Sequence, residues 1–118
     1  MAKYLVSACY TAEGLKGLTK DKAAKRKQAI EQALATVGGK LDAIYWALGE
    51  DDAYVICDCP DNVSVAALAL ATSASGLVRT RTVPLLTAAE LDEALAKKSC
   101  LQGARGVIGP PLCGVESR

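Results

Sequence analysis

The sequence predicts an α+β domain, a four-stranded antiparallel sheet with its helices gathered on one face. Three observations lead there. The stretch from Ala43 to Cys57 reads as a β-hairpin, two apolar runs on either side of Gly49-Glu50-Asp51-Asp52, and it carries the only Trp and two of the four Tyr. A strand-like run near the N-terminus precedes the hairpin, and another follows it. Between each of those strands and the hairpin lies one helical stretch.

The totals suit this size of fold. A chain of 118 residues makes one domain, large enough to bury roughly two-thirds of its unfolded surface. Apolar residues at 51% and charged ones at 23% are ordinary for a globular domain, and 14 Lys+Arg against 13 Asp+Glu leave a net charge of +1. Binding to nucleic acid by counterion release wants a basic excess, which is missing. No apolar run approaches the length of a membrane span. Met1 to Val6 leads straight into the first strand without a signal-peptide pattern, so a cytoplasmic location is expected. Five Cys in a reducing compartment imply thiols rather than a disulfide framework. There is no His, which removes the commonest general base and the commonest metal ligand together.

Tyr4 to Tyr10 is the first strand. Both alternating faces, Leu5/Ser7/Cys9 and Tyr4/Val6/Ala8/Tyr10, are mostly apolar, so it should be a central strand covered on both sides. Thr11 to Leu18, with Gly14 and Gly17, reads as a loop with room for a short turn. The first helix is expected from about Lys20 to Val37, with Thr19 as N-cap and Asp21 at the positive end of the dipole. Ala23, Ile30, Ala33, Leu34 and Val37 line its apolar face, and Gly38-Gly39 ends it. The run Lys25-Arg26-Lys27 reads as a solvated face rather than an anion site at this net charge.

Lys40 to Leu48 is the second strand and Ala53 to Cys59 the third, joined by a four-residue loop. Pro60-Asp61-Asn62 starts a second helix over about Val63 to Ser75, whose many Ala suit close approach to a sheet, and Gly76 stops it. Leu77 to Val83 is the fourth strand, ended by Pro84. Thr87-Ala88-Ala89-Glu90 has the spacing of a capping box and opens a last helix through about Lys97. Residues 99–118 have no periodicity and read as an irregular C-terminal tail appended to a domain of residues 1–98. The element order β-α-β-β-α-β is the ferredoxin-like pattern, and right-handed crossovers give the strand order 4-1-3-2.

The second face of such a sheet has no helix to cover it. Ala53/Val55/Cys57/Cys59 are the more apolar set of the third strand and are expected under the helices, leaving Tyr54, Ile56 and Asp58 on the open face with Arg79, Arg81 and Val83 of the fourth strand. Tyr4/Val6/Ala8/Tyr10 or its complement joins them from the first strand. A patch of that size calls for a second copy packed sheet against sheet, so a homodimer or an assembly of dimers is expected.

Several features together resemble the GYD-domain family, small bacterial and archaeal proteins of the dimeric α/β-barrel type. They are Tyr10-Thr11-x-Glu13-Gly14-x-Lys16-x-Leu18, Gly38-Gly39-Lys40, Tyr45-Trp46-x-Leu48-Gly49 with Asp52, Pro60-Asp61, Ala67-Leu68-Ala69-Leu70, and Gly76-x-Val78-Arg79-Thr80-x-Thr82. The match runs over roughly residues 3 to 95. It departs at the family's signature, which stands here as Gly49-Glu50-Asp51-Asp52, with Asp51 where Tyr is expected. The resemblance implies a fold and a dimeric barrel assembly, and it carries no activity.

Candidate ligand-binding residues are Tyr10, Glu13, Trp46, Asp52, Arg79 and Arg81. Gly49 is expected to supply positive φ and Asp52 to bond backbone amides in the turn; as a catalytic acid, Asp52 lacks a second titratable partner at fixed spacing. Tyr45 and Trp46 are neighbours, so one faces the helices and the other the open sheet, as cavity lining or as core. Arg79 and Arg81 point the same way, either to grip an anionic ligand or to pair with Asp58 or with acids of a facing subunit. Glu13 is a loop carboxylate suited to a site or to capping. Cys57-x-Cys59, with Cys9 on the neighbouring strand, reads as buried apolar packing rather than a metal site. No metal and no cofactor are expected. The leading expectation is a non-enzymatic homo-oligomeric domain that takes a small molecule between sheet and helices. The alternative is a cofactor-independent barrel enzyme, an oxygenase or isomerase type working without His, and a redox protein resting on Cys9, Cys57 and Cys59 comes third.

Overall fold

The computed structural model describes residues 1–97. Seven elements follow in order: β1 (Ala2–Tyr10), α1 (Ala12–Thr36), β2 (Lys40–Trp46), β3 (Ala53–Cys59), α2 (Asn62–Ala74), β4 (Val78–Leu85) and α3 (Ala88–Ala96). The four strands form one antiparallel sheet in the order β2-β3-β1-β4, which is the expected order read from the other edge. The chain divides into two compact units, Met1–Leu85 with the whole sheet, and a second one beginning at Leu86 that contains α3. The expected tail of residues 99–118 lies outside the described residues.

α1 begins earlier than the sequence suggests. Thr11, and not Thr19, is its N-cap: the Thr11 hydroxyl accepts from the Gly14 amide at 3.2 Å and donates to the carbonyl of Gly76 at 2.9 Å. The supposed loop is helical because Gly14 serves packing rather than flexibility. It is buried, and a Cβ there would collide with the carbonyl oxygen of Leu77. The Thr19 hydroxyl instead bonds back to the Leu15 carbonyl. The helix breaks at Lys22, whose φ of 72° and ψ of 166° are non-helical, so the sequence boundary near Lys20 marks a kink inside the element rather than its start. A non-Gly residue at positive φ stores strain of about 1–3 kcal/mol and persists only where its surroundings hold it. Gly38, at φ 77°, closes α1 as the double glycine predicts.

β3 has the expected bounds, β2 ends two residues early at Trp46, and the hairpin loop lengthens to run from Ala47 to Asp52. β4 runs through Pro84. A strand ended by that Pro was the natural expectation, yet β4 is an edge strand, where a missing backbone donor is tolerated on the solvent side. The Asp61 side chain caps α2, Gly76 follows it at φ 76°, and Thr87 with Glu90 forms the full capping box of α3.

Antiparallel partners share a face, so the register sorts every strand residue. Tyr4 stands opposite Cys57, which puts Tyr4, Val6, Ala8 and Tyr10 with Ala53, Val55, Cys57 and Cys59 under the helices. The core there is Tyr4, Leu34, Val55, Cys57, Cys59 and Val65. The Tyr4 hydroxyl donates to Asn62 Oδ1 at 2.6 Å, satisfying its one buried polar atom. On the bare side lie Lys3, Leu5, Ser7 and Cys9, then Tyr54, Ile56 and Asp58, and finally Arg79, Arg81 and Val83. It is therefore the complement of the first strand's Tyr4 set that reaches the open face.

Candidate functional site

α1 lies over β2 and β1, and α2 over β4 and β3. The two helices straddle the central strands and leave a cavity of about 340 Å³ between themselves and the sheet. Small side chains create it. Ala29 and Ala33 from α1, and Ala69, Thr72 and Ser75 from α2, face the sheet without filling the gap. Of the alanines expected to let α2 settle close, Ala69 borders this space. Val6, Ala8 and Val55 make its floor, so the lining is predominantly apolar. That volume sits at the small end of the range of ligand pockets.

Polar groups reach the cavity at few points. Tyr10 lines it, and its hydroxyl accepts from Trp46 Nε1 at 3.3 Å. Trp46 falls on the helix side, opposite buried Ala53, while Tyr45 stands 65% exposed on the open face opposite Tyr54. Thr80 and Thr82 of β4 line the cavity too. So does Arg26, half-buried, while its neighbours Lys25 and Lys27 are exposed. The basic run is thus a solvated face only in part. Arg26 precedes Ile30 by four residues and Ala33 by seven, which places it on the apolar side of the helix. That spacing was visible in the sequence, and the run of like charges obscured it.

The candidate residues separate into different places. The Asp52 side chain does not bond within its own turn: its Oδ2 accepts from the Tyr10 amide at 2.8 Å, and the Asp52 backbone amide donates to the Ala8 carbonyl at 2.8 Å. It ties the hairpin to the end of β1, one residue from the cavity lining. Gly49 is not among the positive-φ glycines. The turn holds instead through Asp52 and the Ala47 amide, which donates to the Asp52 carbonyl at 2.8 Å. Glu13 is exposed in the first turn of α1, 3.9 Å from Lys16. Arg79 and Arg81 face away from the cavity, on the open side.

Asp51 gathers a second constellation there. Its carboxylate is buried, with 9% of the side chain exposed, and accepts from Arg81 Nη2 at 2.8 and 3.1 Å. The Tyr54 hydroxyl donates to it at 3.3 Å and the Cys9 thiol at 3.2 Å. The thiol bond first, then the Arg81 charge and the remaining hydrogen bonds, hold the Asp51 carboxyl below the usual carboxylate range against the opposing effect of burial. The same bond to Asp51 pushes the Cys9 thiol up, and burial raises the Tyr54 hydroxyl. Arg81 is therefore paired with Asp51 rather than Asp58, which Lys3 engages at 3.1 Å along with Asp42. Nothing in the spacing of Asp51 announced this role; its departure from the family signature was the only signal.

Among the described residues the three thiols do not gather in one place. Cys57 and Cys59 are buried under the helices, and Cys9 lies on the opposite face of the sheet. Burial above all pushes the Cys57 thiol up to about 12 and raises Cys59, which leaves both as inert apolar packing.

Among the described residues no helix is long and apolar enough to cross a membrane. No curated protein and no solved structure matches the chain. The model of the GYD domain matches it over residues 4–95, a span that takes in the sheet, the cavity and the Asp51 cluster. With most of its length so matched, the chain belongs to the GYD-domain family.

Proposed function

We propose that this protein is a cytoplasmic, homodimeric binding domain that holds a small apolar molecule between its sheet and its helices. The observation that carries the reading is the cavity of about 340 Å³, lined from both helices and from the central strands. A core of this size would otherwise be packed to crystal-like density, with few voids larger than a water molecule. Free thiols at Cys9, Cys57 and Cys59 suit a reducing compartment.

The open face supports the dimer. Across the strands, Ala43, Ile56, Leu5 and Val83 stand in register as one apolar row. On one side of it lies the row Tyr45, Tyr54, Ser7 and Arg81, and on the other Lys3 with Asp42 and Asp58. An apolar centre with a polar rim is the anatomy of a protein interface. Sheet-on-sheet pairing would bury Val83, which is 48% exposed, and Tyr45.

Two measurements test the two parts. Titration of the neutral probe 1-octanol, followed by the fluorescence of Trp46 beside Tyr10, should give saturable binding; a flat titration refutes the ligand reading. Sedimentation equilibrium should give a dimer at micromolar concentration, and Val83→Glu should convert it to a folded monomer. A wild-type monomer, or a variant that stays dimeric, overturns the assembly.

A further inference from the structure

Among the described residues, Arg26 is the one charged residue lining the cavity. Its Nε is buried without a hydrogen-bond partner, and among the described residues no acid pairs with its guanidinium. A buried, unpaired guanidinium atom is among the costliest features a core can carry, because the lost hydration is not replaced. Arg26 lies one turn beyond the break at Lys22, and its Nη2 reaches back to within 3.4 Å of where a Cβ on Gly17 would stand.

The rest of the cavity wall defines what would satisfy that cation. It carries no carboxylate, and its other polar side chains are hydroxyls apart from the Cys57 thiol. Those of Thr72 and Ser75 are already donated to the carbonyls of Leu68 and Thr72. Tyr10, Thr80 and Thr82 keep donors without an acceptor among the described residues. One positive charge, spare donors and an apolar wall fit one negative charge on an apolar body.

We propose that the cavity binds an apolar monocarboxylate, a small fatty or aromatic acid whose carboxylate pairs with the Arg26 guanidinium. This rests on the reading of the cavity as a ligand site and specifies its occupant. The planar fork of Arg matches a carboxylate bidentately. A dianionic phosphate would bring a second charge that nothing in the wall compensates. The hydrocarbon part lies along Val6, Val55 and Leu68.

Calorimetric titration of the full chain with octanoate and, separately, with 1-octanol tests it. Octanoate should bind tighter than octanol, and Arg26→Gln should weaken octanoate about ten- to a hundredfold and octanol only severalfold, so that the preference for octanoate is lost. In the wild type, octanoate affinity should fall as the pH is lowered through the fatty acid's own pKa, and octanol affinity should stay level. This arm needs no variant and decides the matter if Arg26→Gln does not fold. Octanol binding with no preference for octanoate, or an Arg26→Gln chain that binds octanoate undiminished, overturns the assignment and leaves the cavity reading standing. Failure of both probes to bind refutes the cavity reading itself.

Discussion

Strand β3 presents two different surfaces from one run of seven residues. Toward the helices it offers Ala53, Val55, Cys57 and Cys59, each buried; toward the open side it offers Tyr54, Ile56 and Asp58, each half-buried. The helix side keeps its polar groups few, and where it admits a charge, at Arg26, the charge has no partner among the described residues. The open side is rich in polar groups and pairs most of its charges within the chain, through Asp51 with Arg81 and through Lys3 with Asp42 and Asp58, while Arg79 has no ion pair among the described residues. A buried, unpartnered Nε at the cavity wall is the feature the proposed carboxylate would satisfy. A largely paired rim around an apolar row suits the flat partner proposed above. On the reading proposed above, the contrast would separate a ligand face from an assembly face on the same four strands.

Three changes would break or sharpen that contrast. Leu34 is fully buried at the centre of the helix-side core, and Leu34→Ala should lower the free energy of unfolding by about 2–5 kcal/mol in urea titrations. Its dimer dissociation constant should hardly move, because the change lies on the other face; a large shift would mean the two faces are coupled. Ala69 borders the cavity, and Ala69→Leu should fill part of it, raising stability by about 0.5–2 kcal/mol. The same variant should lose 1-octanol binding in the fluorescence titration, so added stability with binding intact would place the guest elsewhere.

The smallest effect at neutral pH is expected from Asp51→Asn, which keeps the shape and removes the charge. Its consequence lies in the acid limb. The Asp51 carboxyl is held below its ordinary value when folded, so its contribution is present above the ordinary carboxylate range. That contribution is lost as pH falls through the folded value. Chemical denaturation across acid pH should therefore give a steep loss for the wild type and a shallower one for Asp51→Asn. Equal slopes would show that Asp51 is not a stabilising centre of the open face.

Much of the fold was legible because it depends on local patterns. Period-two alternation placed Ala53/Val55/Cys57/Cys59 under the helices and Arg79/Arg81/Val83 outside, and the register agrees. Gly38, Gly76 and the Thr87–Glu90 box ended or opened helices as their chemistry requires. The site was less legible. Tyr10 was named and lines the cavity, Trp46 holds its hydroxyl, and Asp52 anchors its amide. Glu13, Arg79 and Arg81 face elsewhere. Asp51 and Arg26 passed as a loop acid and as part of a charged run, because burial of a single charged residue depends on what the rest of the chain brings near it.

By itself, then, the sequence determined the element order, the faces of the third and fourth strands and the helix stops, which follow from periodicity, capping and Gly conformation over a few residues. Its motifs determined the family; the faces of the first strand waited for the register. Only the tertiary structure decided that Gly14 is a contact point rather than a loop. It also decided that α1 kinks at Lys22 and that Asp51 collects Arg81, Tyr54 and Cys9. The cavity belongs to the same class, since it exists only where two helices with small side chains straddle a sheet and the volume left over is a property of no single residue. Close packing is a sum over elements distant in sequence, and a void is what that sum leaves unfilled.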